Sequence, residues 1–343
     1  MKKLFALVLA LAMVLTCAAA LAEDYTVYLV TMDLEDMHWV SVNAGAEAAV
    51  AEAKEAGVDL RYVWVGPTTG KNDAAQIECI NNAYADNANV ILLASNGPDT
   101  EVATIEEYTA DGVGFVYVDS PANTPALQTL ATDNTAAGKL AGETLLAALT
   151  EAGITEGKVG IVNINTSTVS TQNRETGFRA AFEGTAFEIL ETQYGDGDAA
   201  KSQEIATNFI TEGCVALFGA NEGATVGVGN AIAAEGENSG IYGVGFDKSD
   251  AILNLVVDGW LVATTAQNPY NMGYYGIQTA VEFLTNGTTE FENMDTGVTM
   301  LTAEYITENG LLKFHKQAKQ RGLPKREAPG FCVGEILPCH NYL

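Results

Sequence analysis

YTVYLVTMDLEDMHWVSVNAGAEAAVAEAKEAG, residues 25–57, turns from strand composition to helix composition, and that turn decides the fold. Tyr25–Asp33 is a run of apolar, aromatic and β-branched residues that stops at a polar side chain. Val42–Glu55 is rich in Ala, Glu and Lys and ends at Gly57, a helix-forming composition followed by a stop. The same passage recurs at VILLASN (Val90–Asn96), GFVYVDS (Gly114–Ser120), KVGIVNIN (Lys158–Asn165), VALFGAN (Val215–Asn221), IYGVGFD (Ile241–Asp247) and VATTAQN (Val262–Asn268). Helical patterns at 73–85, 100–110, 136–152, 173–182, 199–211, 223–234, 249–257 and 271–285 lie between or beside them. Strands alternating with helices of this length build βαβ units and parallel sheets, so the fold class is α/β and doubly wound. Ligands of such sheets bind at the carboxyl ends of the strands, which makes the polar residues there the first site candidates.

The alternation occurs twice, once from Tyr25 to about Leu130 and again from Lys158 to about Ala266. Between them LATDNTAAGKLAGETL (Leu130–Leu145) carries a short strand through Asp133 and Asn134 into a helix, with no Pro/Ser-rich spacer. The expectation is two lobes joined by a three-segment hinge: residues 24–131 plus 268–296, and residues 132–267 plus 297–307. Lobes joined by short segments close on a ligand by hinge motion.

Residues 1–22 have the three parts of a secretion signal: Lys2 and Lys3, an apolar run from Leu4 to Leu15, and Ala20-Leu21-Ala22. Its apolar core is shorter than the roughly 20 residues that span a bilayer. Cleavage there implies a periplasmic or extracellular protein; Thr16 before Cys17 makes lipid anchoring the weaker alternative. Losing the two lysines takes the formal net charge from −27 to −29, a field that repels phosphate backbones and argues against nucleic acid as a partner. A basic tail, 308–343, holds six of the 17 basic residues within fourteen positions and is given no function. Cys332 and Cys339 stand in it, with pairing left open, while Cys79 and Cys214 read as buried thiols.

Catalytic chemistries lack their parts. There is no G-x-S-x-G elbow, and the mature chain offers only His38, His315 and His340 as imidazole bases. No H-x-x-x-H or C-x-x-C pair marks a metal site, and no phosphate-binding glycine motif marks a nucleotide site. Neither a catalytic residue, nor a metal, nor a cofactor is expected. Polyol binding asks only for donors, acceptors and an apolar face, and so makes the fewest demands on these residues.

DMHWVSVNAGAEAAVAEAK (36–54), VYVDS (116–120), ATDNTAAGKLAGE (131–143), QNRETGFRAAF (172–182), FGANEGATVGVGNAI (218–232), GVGFDKSDAI (243–252) and ATTAQNPYNMGYYGIQTA (263–280) follow one another in the order found in periplasmic sugar-binding proteins of the ribose-binding type. The chain resembles that family from about Tyr25 to Thr302. The resemblance implies a type I periplasmic binding protein fold and a monomeric receptor that closes around a sugar and delivers it to an ABC transporter permease, with a chemoreceptor or sensor kinase as further partners.

It also implies the site. Asp36, His38 and Trp39 stand in the first loop, where Trp39 offers an apolar face to ring C–H groups. Asp119 accepts from hydroxyls, and Arg174, at the start of the second lobe's first helix, donates to a ring or anomeric oxygen. Asn221, Asp247 and Gln267 complete the polar contacts, with Asp33 and Asn165 read as turn or capping residues. The chain departs from ribose binders in having Ser120 where they carry an arginine, and Gly195, Asp196 and Gly197 near the position where they place a second-lobe aromatic. Those departures bring it nearer to relatives for rhamnose or a furanosyl autoinducer, in which Gln172 joins the site. A sensor-only receptor and an extracellular glycosidase are the readings from other classes.

Overall fold

The computed structural model describes residues 25–68, 72–166, 168–237 and 239–312. The leader with Cys17, and the tail beyond residue 312 with His315, Cys332, Cys339 and His340, lie outside them. The chain divides into two compact units, one running up to Thr132 and including Asn268–Thr296, the other comprising Asp133–Gln267 and the chain from Gly297 onward. It therefore passes between units three times.

In the first unit, β1 (Tyr25–Val30), β2 (Leu60–Val65), β3 (Val90–Leu93), β4 (Gly114–Val118), β5 (Gln128–Ala131) and β12 (Met294–Asp295) form one parallel sheet in the order β12-β5-β4-β3-β1-β2. Side chains of a strand alternate between faces, and here each alternate set has its own core. Val27, Leu29, Leu92, Val116 and Val118 pack on α1 (Met37–Glu55) and α9 (Pro269–Asn286). Tyr28, Val30, Ile91, Leu93, Phe115 and Tyr117 fill the opposite layer with α2 (Asp73–Ala85) and α3 (Val102–Ala110). Both faces are covered, which is why β3 is an uninterrupted apolar run with no polar alternation.

The second unit repeats the plan. β6 (Glu156–Asn163), β7 (Ala186–Ile189), β9 (Cys214–Gly219), β10 (Tyr242–Phe246) and β11 (Ala263–Gln267) are parallel, in the order β11-β10-β9-β6-β7. β8 (Gln193–Tyr194) adds to β6, and β13 (Val298–Thr302) closes the β11 edge antiparallel. An antiparallel edge on a parallel sheet is a common termination, and here it belongs to the strand that follows the third passage between units. The helices are α4 (Asn134–Glu151), α5 (Val169–Ala181), α6 (Ala199–Thr211), α7 (Glu222–Glu235), α8 (Asp250–Val257) and α10 (Ala303–Glu308).

Several boundaries differ from the sequence expectation. The segment through Asp133 and Asn134 is not a strand: β5 ends at Ala131, and the Asp133 carboxylate caps α4 by accepting from the Ala136 N–H at 2.9 Å. Helix α1 begins at Met37 rather than Val42, so His38 and Trp39 sit in a helical first turn and not in a loop. Helix α5 begins at Val169, which moves Arg174 into its second turn.

In both units the helix that follows the chain's entry packs against the helix after the first strand, α9 on α1 and α4 on α5. The approach is close enough to require glycine. A Cβ on Gly45 would lie 1.9 Å from the Tyr270 carbonyl oxygen, and one on Gly273 1.9 Å from that of Val42. In the second unit the same 1.9 Å separates Gly138 from the Arg174 carbonyl and Gly177 from that of Thr135. Backbone cannot step aside as a side-chain tip can. Helix propensity alone favours alanine over glycine by about 1 kcal/mol. Gly273→Ala and Gly177→Ala are nevertheless expected to lower stability by about 1–3 kcal/mol. Urea unfolding checks this, and a midpoint equal to or above that of the parent would contradict the close crossing.

Candidate functional site

In each unit the strand order places the topological switch between the first and third strands, β1/β3 and β6/β9. β4 and β10 occupy the same position, one strand further on, and each is followed directly by an aspartate with left-handed backbone. Asp119 has φ +66° and Asp247 φ +71°, two of four such non-glycine residues among those described. An L residue there carries strain of about 1–2 kcal/mol, with Asp and Asn bearing it best. Each is held by its N–H on the neighbouring strand: Asp119 donates to the Leu130 carbonyl at 2.8 Å, Asp247 to that of Thr265 at 2.9 Å.

Around Asp119, Ser120 Oγ donates to Oδ2 at 2.6 Å and His38 Nε2 stands 3.5 Å from Oδ1. His38 is brought there by the start of α1, where the Asp36 carboxylate accepts from the His38 backbone N–H at 2.9 Å. Asp36 is thus a capping residue, and Asp33 shapes the turn before it by accepting from the N–H groups of Glu35 and Asp36. Trp39 lies in the core with 3 % of its surface exposed, and the His38 ring meets it edge-on at 4.7 Å. The indole face expected to receive a sugar ring is therefore packed against protein. Aromatic contact of this kind fixes the imidazole's orientation.

The second unit assembles a denser set. Arg174 is 4 % exposed, with its guanidinium carbon 3.7 Å above the centre of the Phe246 ring. Its Nε donates to Asn134 Oδ1 at 2.8 Å and its Nη1 to the Ala220 carbonyl at 3.1 Å, while Asp247 Oδ2 stands 3.7 Å from Nη1. A buried cation requires such partners. Asp247 also accepts from the Glu222 N–H at 3.0 Å and from Gln267 Nε2 at 2.9 Å. Asn221 caps α7, accepting from the Ala224 N–H at 3.2 Å. Gln172 Nε2 donates to the Asn165 carbonyl at 2.7 Å, and Asn165 Oδ1 accepts from the Thr168 N–H and hydroxyl.

Hence Asp119, Ser120 and His38 meet in one unit, and Arg174, Asp247 and Gln267 in the other. Asp36, Asn221 and Gln172 spend polar atoms on local backbone. Asn134 and Phe246 were not singled out from sequence. Phe246 is two alternations from Tyr242 on a buried strand and reads as core; Asn134 is hidden behind the expectation of a strand. Among the described residues no group of three or more His, Cys, Asp or Glu side chains is placed to hold a metal, and no helix is long and apolar enough to cross a membrane.

One buried acid adjoins the Asp119 turn. Ser95 N–H donates to the Ser120 carbonyl at 2.8 Å, and beside Ser95 stands Glu101, fully buried at the start of α3. Burial pushes the Glu101 carboxyl above its ordinary range and Asp73 adds to this, while the Ser95 hydroxyl and the N–H groups of Gly97 and Asn96 oppose it.

Residues 27–288 match a family model described as periplasmic binding protein domain. The chain is 30 % identical over 300 residues to the ribose import binding protein RbsB of Escherichia coli, covering 83 % of this chain and 93 % of that protein. It is 25 % identical over 293 residues to a D-ribose/D-allose-binding protein of Pseudomonas aeruginosa, covering 82 % and 90 %. Among solved structures, a sugar-binding protein of a sugar ABC transporter from Bacillus halodurans superposes with TM-score 0.74 at 26 % identity, over 83 % of this chain and 99 % of that one. A carbohydrate transporter solute-binding protein from Agrobacterium radiobacter, in complex with D-arabinose, superposes with TM-score 0.69 at 28 % identity, over 84 % and 98 %.

The Glu101 environment sets a pH dependence. Its carboxyl holds a proton to higher pH in the folded chain than in the unfolded one, so its stabilising contribution is complete below the ordinary carboxylate range and is lost as pH rises through the raised value. Glu101→Gln cannot titrate, so its stability relative to the parent is expected to rise as pH climbs above the ordinary carboxylate range, as read by urea midpoints measured at successive pH values. A constant difference would show that Glu101 does not titrate abnormally.

Proposed function

The chain belongs to the periplasmic binding protein domain family, and from that premise we propose that it is an extracytoplasmic receptor that binds a monosaccharide or related polyol for an ABC-type importer. What carries the proposal is the pair of left-handed aspartates at equivalent strand ends, each with hydroxyl-compatible groups beside it. An ionised carboxylate accepts from neighbouring hydroxyls, and such charge-assisted bonds are about twice as strong as neutral ones. Arg174 supplies donors to a ring or anomeric oxygen, and Gln267 has an amide that both donates and accepts. The ligands named for relatives and structural neighbours, ribose, allose and arabinose among them, support a sugar of five or six carbons. A transporter permease is the proposed partner, and the leader read in the sequence is what would carry the chain across the membrane. Binding makes no demand for a general acid, so the arrangement serves it as it stands.

Thermal-shift screening against pentoses, hexoses, deoxysugars, inositols and the furanosyl autoinducer tests this. A true ligand at 100 times its Kd adds about 2.7 kcal/mol of stability. Asp247→Asn and Asp119→Asn keep a residue that tolerates left-handed backbone but lose the charge. Each is expected to weaken binding by about 1.5–3 kcal/mol; Asp119→Asn leaves the melting temperature of the sugar-free protein nearly unchanged, while Asp247→Asn lowers it because the buried Arg174 loses its carboxylate. Silence across the whole panel would refute the sugar reading, and unchanged affinity in both variants would refute the site.

A further inference from the structure

Helix α4 touches Arg174 twice. Gly138 lets its backbone come against the Arg174 carbonyl, where a Cβ would meet the oxygen at 1.9 Å. One turn earlier, at the first residue of the helix, Asn134 Oδ1 accepts from Arg174 Nε at 2.8 Å. Asn134 lies two residues after Thr132, where the chain passes from the first unit to the second, and it follows Asp133, whose carboxylate fixes the helix start on the Ala136 N–H. The guanidinium is thus gripped at Nε from α4, at Nη1 by the Ala220 carbonyl, and on one face by Phe246.

These contacts differ in what they can do. The Ala220 carbonyl and the Phe246 ring limit the position of the guanidinium but leave rotation about the Cδ–Nε bond and along the side chain less constrained. A hydrogen bond at Nε removes that freedom, because the five N–H groups form one rigid planar fork and fixing one edge aims the rest. Lysine has no equivalent donor along its stem.

We propose that Asn134 is the positioning residue of the sugar site, aiming the Arg174 fork and tying its orientation to the first passage of the chain between units. The inference rests on Arg174 contacting the sugar, and it names a residue that acts through Arg174. An acceptor oxygen is all that the role requires, so aspartate can fill it and alanine cannot.

Sugar affinity is measured by calorimetry, with the best ligand of the thermal-shift panel, for the parent, Asn134→Ala, Asn134→Asp, Arg174→Lys and the double variant Asn134→Ala with Arg174→Lys. Removing an acceptor from a charged donor is worth roughly tenfold in Kd or somewhat more. Asn134→Ala is therefore expected to bind about tenfold more weakly and to melt at a lower temperature without sugar, because a buried Nε–H loses its acceptor, and Asn134→Asp to recover most of both losses. In the Arg174→Lys background the Asn134→Ala change is expected to cost almost nothing, since the Nε–H it serves is gone. In parallel, hydrogen exchange of the Arg174 Nε–H, assigned by its disappearance in Arg174→Lys, is followed by NMR without sugar. It is expected to be slow in the parent and in Asn134→Asp, and at least tenfold faster in Asn134→Ala.

Parent-like affinity in Asn134→Ala, an equal loss in both backgrounds, or an Nε–H that exchanges at the parent rate in Asn134→Ala overturns the proposal. If Asn134→Ala does not fold, Asn134→Asp with weakened binding or fast Nε–H exchange overturns it instead. A parent protein that binds no sugar refutes the function proposed above, and the sugar-free exchange measurement still decides whether Asn134 aims the fork.

Discussion

Two helices in each unit come so near that only glycine fits between them, and much of the remaining architecture follows from that contact. The four positions are matched: Gly45 and Gly273 face carbonyl oxygens across α1 and α9, Gly138 and Gly177 across α4 and α5. Each glycine sets a backbone against a backbone, so the distance between the helices has no side chain to adjust it. Helices α1 and α5 are also the ones that carry His38 and Arg174, which fixes where those side chains stand over the strand ends. The helices they rest on, α9 and α4, each begin within two residues of a point where the chain changes unit. The polar side chains are therefore referenced to the passages of the chain through a rigid contact.

The second recurring element is the aspartate that ends the fourth strand in line. Its left-handed backbone is sustained by a hydrogen bond to the neighbouring strand, and its carboxylate meets the start of an earlier helix, α1 for Asp119 and α7 for Asp247. Strain retained at two topologically matched positions, in a chain whose other left-handed residues are mostly glycine, is consistent with a demand for the carboxylate itself. The surroundings differ. Asp247 is met by a guanidinium, a side-chain amide and a backbone N–H, whereas Asp119 is met by a hydroxyl and an imidazole.

A good deal of this was legible along the chain. Apolar runs ending in Asn96, Ser120, Asn221 and Asp247, separated by Ala-rich amphipathic stretches, specify parallel strands and covering helices because period and composition are local properties. Helices 73–85 and 199–211 were bounded to the residue, since Asn72 and Asp198 cap them with their own side chains. Short strands escaped: Gln193–Tyr194 and Met294–Asp295 are too brief to show a period, and they pair only because a sheet edge is already there. Asp133 was mistaken for strand because a capping carboxylate and a strand-end carboxylate look alike until the next N–H groups have a place.

The amino-acid order by itself determined the α/β alternation, its two occurrences, the glycines that permit close helices and the residue types offered at each strand end. Only the tertiary structure decided which of those types converge. Trp39 went to the core, Asp36 and Asn221 to helix caps, and Gln172 to a loop carbonyl, while Asn134 and Phe246, unremarkable in sequence, came to hold Arg174. The physical reason is that a polar atom's partner is set by distance in space. Residues 134, 174, 220, 246 and 247 become neighbours only when helix packing and strand order bring their elements together.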